Sequence, residues 1–491
     1  MGTTPDQERL VAAFHLPVIE THISYVLLAG AFAYKIKKAV RFEFLDFTTL
    51  AQRRFFCHEE LRLNRRLAPL IYLDVVPISG TMDAPVFGGD GVAIEYAVKM
   101  RQFDQAGLLS RVIERDELTS AVIDALAREV AAFHTKAPRA STDLQYAQSG
   151  HVRQLARDNF TQMRSAPHDA HDGSNLERLH EWTESEGARL TEALDRRRHD
   201  GFVRECHGDL HLGNIALIDG RITLFDCLEF NPSMRWSDVM SDVAFLVMDL
   251  HDRNRPDLAA RFLSAYLEDT SDYGGLTVLP FYIVYRALVR AKVASMRLAQ
   301  PASRDERAAV LGQYRTYLNL AVHQSERRRP SIVITHGVTG SGKTVRSQAL
   351  VESMGAVRVR SDVERKRLFG LDANARSESP VGGGLYTDDA SRRTYARLTA
   401  LARTIAAAGF TAVLDAAFLK REQRDLVREV ANDLGVPFII ADCSAPAAAL
   451  KERVSRRLEA NSDASEATLA VLERQLASDE PLAPDELASR Q

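Results

Sequence analysis

An apolar-rich stretch over residues 22–28 predicts a strand, and Ala29-Gly30 turns the chain into a second strand over residues 31–36. A helical spacing of apolar positions follows around residues 53–67 and stops before Pro69, which cannot continue a helix. A strand over residues 92–98 leads through a short loop to a long helix over residues 117–132. Strands followed by helices predict a small antiparallel sheet lobe and then a helical lobe. Residues 164–176 are polar and turn-rich and read as a loop between helices. Two short strands over residues 215–218 and 221–225 then flank Asp219-Gly220, a dipeptide suited to a two-residue hairpin turn. Mostly helical sequence continues to about residue 324.

The pattern changes after Ser325-Glu-Arg-Arg-Arg-Pro330, which reads as a linker with a solvated arginine run. Strands are expected over residues 331–336, 357–360, 411–414 and 438–441, with helices between them. Such alternation predicts a parallel α/β sheet. The chain shows no internal repeat. Two domains follow, residues 1–326 and 327–491. A chain of 491 residues is also too long for one ordinary core.

Composition narrows the function classes. Hydrophobic residues make up 45% and charged residues 26%, a globular balance. The net charge of −3 gives no broad attraction for nucleic acid or membrane. Cys57, Cys206, Cys227 and Cys443 form no C-x-x-C pair and no zinc-spaced cluster, which fits a reducing compartment. Residues 1–8 lack a signal-peptide pattern. The most apolar run, residues 281–294, is broken by Arg286, Arg290 and Lys292. A soluble, cytoplasmic protein is the expectation.

The second half carries Gly337-Val-Thr-Gly340-Ser341-Gly342-Lys343-Thr344, a full G-x-x-x-x-G-K-[ST] motif between an expected strand and helix. Its glycines let backbone N–H groups curl around phosphate oxygens, and the helix N-terminus adds partial positive charge. Lys343 is placed for the β- and γ-phosphates of ATP, and the Thr344 hydroxyl for Mg²⁺. Asp362 follows the second strand. It either takes the proton of an attacking hydroxyl or favours the first turn of a helix that Ser361-x-x-Glu364 would cap. Asp415 ends a strand, as a Walker-B-like carboxylate acting on Mg²⁺ through water or as an acid capping the next segment. Arg453, Arg456 and Arg457 share a helix face, either as a lid that clamps phosphates or as a solvated surface. These motifs resemble the small P-loop kinases related to adenylylsulfate, gluconate and polynucleotide kinases and zeta-type toxins. The resemblance spans residue 331 to about residue 484. It includes the stretches 360–368 and 414–419 and Ser462-Asp463-Ala464.

The first half carries His207-Gly-Asp209-Leu-His-Leu-Gly-Asn214, with Phe225-Asp226 downstream. An Asp followed five residues later by Asn is the spacing of a protein-kinase-like catalytic loop. Asp209 would orient and deprotonate a substrate hydroxyl, while Asn214 and Asp226 would hold Mg²⁺. In the hairpin, Ile218 should face Arg221 and Ile215 should face Leu224. Strict pleating would then aim Asn214 and Asp226 to opposite faces, so the ladder should end before them. Upstream, Ala33-Tyr-Lys35 offers Lys35 for the phosphates of ATP, with Lys37 and Lys38 as competitors. Glu60 is its expected partner, with Glu59 as the rival. Residues 98–100 are the candidate hinge for adenine or an ordinary strand exit. Asp238 and Asp242 would brace the loop or cap a helix.

Over about residues 10–325 the chain resembles the aminoglycoside phosphotransferase and choline kinase-like superfamily, and Glu20-Thr-His-Ile-Ser24, Tyr34-Lys-Ile-Lys-Lys38, Phe44-Leu-Asp-Phe47 and Asn64-Arg-Arg-Leu-Ala-Pro69 resemble a bacterial branch often fused to a P-loop kinase-like domain. The resemblance implies an α+β protein-kinase-like bilobal domain followed by an α/β P-loop NTPase domain with a parallel sheet. It also implies ATP and Mg²⁺ as cofactors and a small-molecule hydroxyl or amine as acceptor. One departure stands out. Residues 18–30 contain no G-x-G-x-x-G, so phosphate cover must come from another loop, such as residues 21–24.

Four functions compete. The first is phosphoryl transfer by both domains, and the second is a nucleic-acid end kinase in the P-loop domain. Residues 331–491 hold 22 basic and 22 acidic side chains, which argues against a strand-binding surface. In the third, one domain binds nucleotide and regulates the other. The fourth, aminoglycoside modification, needs clustered acids such as Asp169 and Asp172, which a solvated loop also explains.

Overall fold

The computed structural model describes residues 5–42, 45–141, 144–146, 148–163, 170–298, 303–373, 375, 384–460 and 468–490. Its contacts gather into two compact units. One comprises Met1–Val122, Ala132–Asp158 and Gly187–Asp249; the other comprises Ile123–Ala131, Asn159–Glu186 and Leu250–Gln491.

The first unit is built on a six-stranded antiparallel sheet, in the order Val18–Glu20, Ser24–Ala29, Phe32–Lys37, Glu95–Arg101, Tyr72–Thr81, Ala84–Phe87. Side-chain alternation gives the sheet two faces. Tyr25, Leu27 and Ile36 pack on Leu10 and Val11 of the Pro5–Ala13 helix. Val98 and Tyr72 pack on Cys57 and Leu61 of the Leu50–Asn64 helix. Each fully buried leucine there contributes about 1.5–3 kcal/mol. The Leu50–Asn64 helix begins at a capping box between Thr49 and Gln52 and ends before Pro69. Residues 98–100, expected to follow the strand, lie inside it. Val98 pairs with Lys35 on one side and Val75 on the other, and Met100 with Ala33 and Tyr72. Their backbone groups serve the ladder, so they cannot be an adenine hinge.

Ile215–Ile218 and Arg221–Leu224 form the expected hairpin, with Ile218 opposite Arg221 and Ile215 opposite Leu224. The ladder closes on a last bond from the Phe225 N–H to the Asn214 carbonyl, 3.0 Å.

In the second unit the Leu279–Leu298 and Arg304–Ser325 helices pack on each other. The loop expected over residues 164–176 is in part a helix, Ala170–Arg189. Asp172 lies in its first turn, where an acid suits the helix dipole, and is buried in an ion pair with Arg315 at 3.0 Å. A drug-facing acid cluster would need this carboxylate solvated and turned to a ligand. Residues 164–169, Asp169 among them, lie outside the described residues, as does Ser462-Asp463-Ala464.

After Ser325 the chain runs without regular structure to a four-stranded parallel sheet in the order Val357–Arg360, Ala412–Asp415, Ile332–His336, Phe438–Asp442. Its two interior strands are buried along their whole length, as a parallel sheet covered on both faces requires. The linker arginines are not all solvated. Arg328 stacks over the Phe410 ring at 4.2 Å and donates to Gln324, and burial lowers its pKa to about 10. Among the described residues no helix is long and apolar enough to cross a membrane.

His251 is held neutral nearby. Burial, with the charges of Arg328 and His323, lowers its pKa to about 4. The unfolded chain takes up this proton near pH ~6.5, so stability is fully present above that pH. It falls as the pH drops towards about 4, by up to ~3 kcal/mol. Urea unfolding at pH 7 and pH 5 should show this slope, and His251→Gln should flatten it.

Candidate functional site

In the first unit, Lys35 and Lys37 point to the same face of the Phe32–Lys37 strand because side chains repeat every second residue. The Leu50–Asn64 helix lies against that face and presents Glu60, which is fully buried. Lys35 Nζ sits 2.8 Å from Glu60 Oε1 and 2.6 Å from Asp226 Oδ1. Lys37 Nζ sits 2.7 Å from Glu60 Oε2 and also pairs with Glu229. Burial opposes charge on Lys35, Lys37, Glu60 and Glu229. Even so, Asp226 and Glu60 hold Lys35 well above the usual lysine range. Glu60 is pushed the other way, to about 2, because Lys35 and Lys37 outweigh its burial. Burial and the nearby Glu60 charge, against the pull of Lys37, raise Glu229 above the usual carboxylate range.

The competitors are accounted for. Lys38 pairs with Glu20 and lies over the Tyr25 ring. Glu59 pairs with Arg62 and Arg235.

Asp226 follows the hairpin with a φ of 62°, a left-handed conformation that breaks the strand pleat. Asn214 ends the short 3₁₀ turn Leu212–Asn214. The ladder therefore ends between these two residues, as pleating required. The Asp226 N–H donates to the Tyr72 hydroxyl at 3.2 Å, and the Cys227 N–H donates to Asn64 Oδ1 at 2.8 Å. Asn64 also donates to the Glu60 carbonyl. Thus Tyr72, unmarked by any sequence motif, and Asn64, marked only as the start of the Asn64–Pro69 stretch, tie the segment bearing Asp226 to the elements bearing Lys35 and Glu60.

The loop between them is braced from below. Asp242 accepts the N–H groups of His207 and Gly208 at 2.7 and 3.0 Å, and Asp249 accepts that of Leu212 at 2.8 Å. Asp238 caps the Val239–Asp252 helix, accepting the Met240 N–H at 2.9 Å, and also pairs with Arg197. Asp242 also lies near His134 and Cys206. Both of its oxygens already serve the loop. Asn214 Nδ2 donates to the Asp209 carbonyl at 2.9 Å and to Asp209 Oδ2 at 3.1 Å. With that nitrogen committed, the amide oxygen is the end suited to a cation. That oxygen and the Asp226 carboxylate are both hard oxygen donors of the kind Mg²⁺ takes.

The turn at residues 21–24 differs from the expected phosphate cover. The Thr21 N–H bonds to the Ser24 carbonyl, and the N–H groups of Ile23 and Ser24 bond to Thr21 Oγ1. The three amide donors needed to wrap a phosphate are therefore held within the turn itself.

In the second unit, the Ile332–His336 strand leads into the glycine loop and the Lys343–Met354 helix. Gly337 has a φ of 134°, and a Cβ there would lie 2.2 Å from the Cys443 carbonyl oxygen, so only glycine fits. Gly340 and Gly342 also take positive φ, at 80° and 98°. Lys343 Nζ donates to the Val338 carbonyl at 2.8 Å. Ser341 is buried within the loop.

Asp415 ends its strand almost buried and accepts the Ser347 hydroxyl at 2.9 Å. Ser347, absent from the sequence reading, locks this carboxylate to the helix that follows the loop. Thr344, Asp415, Lys343 and Asp362 line one cavity of about 1020 Å³. The Thr344 hydroxyl and the Asp415 carboxylate are again hard oxygen donors suited to Mg²⁺.

Asp362 lies 3.5 Å from Arg365 at the wall of this cavity. Asp362 lies in the first turn of the Ser361–Leu368 helix, where an acid suits the dipole, but the capping box expected there does not form. Arg360 occupies the cap without a side-chain bond, and Glu364 is buried in ion pairs with Arg367 and Arg397. Arg453 lines the cavity and donates to the Gly340 carbonyl at 3.2 Å. Arg456 is placed differently, paired with Glu452 on an exposed face.

Comparison with known proteins fits this geometry. Residues 53–279 match the model of the phosphotransferase enzyme family, and residues 332–482 match the model of an AAA domain. The chain is 29% identical to an uncharacterized protein of Mycobacterium tuberculosis over 457 residues, 93% of this chain and 89% of that protein. Among solved structures it is similar to a choline/ethanolamine kinase family protein from Mesorhizobium loti. That match has 11% identity and a TM-score of 0.39, and covers 63% of this chain and 92% of that one. It is also similar to a gluconokinase from Sinorhizobium meliloti, with 24% identity and a TM-score of 0.24 over 33% of this chain and 82% of that one. By these family models, residues 53–279 are similar to the phosphotransferase enzyme family and residues 332–482 to a P-loop AAA domain.

Proposed function

We propose that the protein is a cytoplasmic, bifunctional phosphotransferase. Each of its domains, residues 1–326 and 327–491, moves the γ-phosphoryl group of ATP to a small-molecule hydroxyl or amine. The observation that carries this reading is Lys35, ion-paired at once with Glu60 and Asp226 in the unit that also joins Asp209 to Asn214. Lys35 is fixed by Glu60 and takes the phosphate oxygens. Asp209, steadied by Asn214, accepts the acceptor's proton. Asn214 and Asp226 hold Mg²⁺.

At the second site the Gly337–Thr344 backbone cradles the triphosphate, and Lys343 and Arg453 neutralise its charge. Thr344 and Asp415 hold the metal, and Asp362 takes the acceptor proton. The bound Mg²⁺ supplies charge spreading over the transferring group. Balanced charge in the P-loop domain favours a small acceptor over a nucleic-acid end.

The turn at residues 21–24 keeps its amide donors for itself, so the first site should hold nucleotide more weakly than the second. Calorimetric titration of the full chain with Mg²⁺ and a non-hydrolysable ATP analogue should resolve a tight and a weak site. Lys343→Ala should remove the tight one. A single class of site that survives Lys343→Ala would overturn the two-site reading. Acceptors are then sought by ADP release over a panel of polyols, amino alcohols and aminoglycosides.

A further inference from the structure

The Val357–Arg360 strand lies at the edge of the parallel sheet, where its outward N–H groups lack a neighbouring strand. Within the second unit, the Pro256–Thr270 helix covers that edge. Ser264 Oγ accepts the N–H of Arg358 at 3.0 Å. Glu268, one turn further on, faces Arg360 at 3.3 Å and Arg358 at 3.9 Å, and its carbonyl accepts Arg367 at 2.5 Å. Arg261 lies one turn before Ser264 and bridges Asp124 to Glu352 of the Lys343–Met354 helix, with both ion pairs at 2.6 Å. Residues 261, 264 and 268 have i, i+3, i+7 spacing, so a single helical face makes all three contacts. That face grips the phosphate-loop helix at one end. At the other it grips the strand that ends in Arg360 and leads directly into Ser361 and Asp362, all three of which line the cavity.

We infer that Glu268 is a positioning residue of the P-loop site: through its ion pair it holds Arg360, and with it the start of the helix bearing Asp362, against the cavity wall. This rests on the nucleotide reading of that site and adds a dependence the reading does not contain. The P-loop domain borrows part of its active-site frame from a helix that precedes the linker by more than fifty residues. The Glu268–Arg360 pair is mostly buried, with both side chains 18% exposed, so solvent screens it less than a surface pair.

The test uses the full-length chain, with the P-loop share of ADP release defined as the part that Lys343→Ala removes. Glu268→Gln should lower that share about tenfold, within the range of coupling through packed networks, and leave Mg·ATP affinity at the site unchanged. Arg360→Met should cause a similar loss. The double variant should lose no more than either single one, because both changes cut the same link. Glu268→Asp, which keeps the charge, should recover part of the rate.

Ser264→Ala separates edge cover from positioning. It should lower the melting temperature and leave ADP release unchanged. Multiplying effects in the double variant, an unaltered rate in Glu268→Gln, or a Ser264→Ala chain as slow as Glu268→Gln would each overturn the inference. A parent chain with no Lys343-dependent ADP release would instead sink the nucleotide reading, and this inference with it.

Discussion

Lys343→Ala in the full-length chain is expected to lower ADP formation at the P-loop site by about 10²–10³-fold, the usual loss when one preorganised charge-stabilising group is removed. The expectation follows from where the lysine is held. Its ammonium donates to the Val338 carbonyl at 2.8 Å, inside the curl of the glycine loop. The loop itself does not depend on the lysine. Its path is set by Gly337, Gly340 and Gly342 and by the bond from the Gly337 N–H to the Ala417 carbonyl at 3.0 Å. Loss of a single hydrogen bond costs about 1 kcal/mol, so the variant should fold and melt close to the parent. Steady-state ADP release and nucleotide affinity, measured beside the melting temperature, check this. A tenfold loss or less with affinity retained would mean that the loop does not present Lys343 to the reacting phosphate.

Different parts of the molecule were legible to different degrees, and the reason is how far apart in sequence the interacting groups lie. The P-loop is contiguous, so its glycines, lysine and threonine could be named before any coordinates. The hairpin register was also readable, because Asp219-Gly220 fixes the pairing locally. Lys35 and Glu60 could be nominated but not separated from Lys37, Lys38 and Glu59. That choice depends on which face of a strand meets which face of a helix. Lys37 proved to be part of the same buried charge cluster, through Glu229, a contact across 192 residues that no local pattern announces.

The roles of Asn64, Tyr72 and Ser347 were missed for a related reason. Each acts through hydrogen bonds made only in the folded state. The polar stretch around Asp172 was misread because local composition favours a turn, whereas a tertiary partner, Arg315, supports a helix there. The cover of the Val357–Arg360 edge lay furthest out of reach. Nothing in a strand's own sequence says which helix will shield it.

Asp226→Asn is expected to change the first site in two opposite directions. The backbone of Asp226 is held by Tyr72, and the next residue by Asn64, independently of the carboxylate, so the segment should keep its path. What disappears is one negative charge 2.6 Å from Lys35 and, on the proposed reading, the main oxygen donor for the metal. On the proposed reading, Asp226 of the parent chain competes with nucleotide phosphate for Lys35. With asparagine there, metal-free ATP should bind the first site at least as well as before. Mg²⁺-supported turnover, in contrast, should fall by about 10³-fold. A metal ion contributes several kcal/mol of transition-state stabilisation, and each 1.4 kcal/mol is about tenfold in rate.

Both quantities are best read in a Lys343→Ala background, where the P-loop site is silenced. Nucleotide affinity is measured with EDTA and with Mg²⁺, and ADP release is followed over a Mg²⁺ titration. The variant should also need more Mg²⁺ for half-maximal rate. If affinity fell equally with and without metal, Asp226 would be acting only as a partner for Lys35, and the metal would have to be held elsewhere.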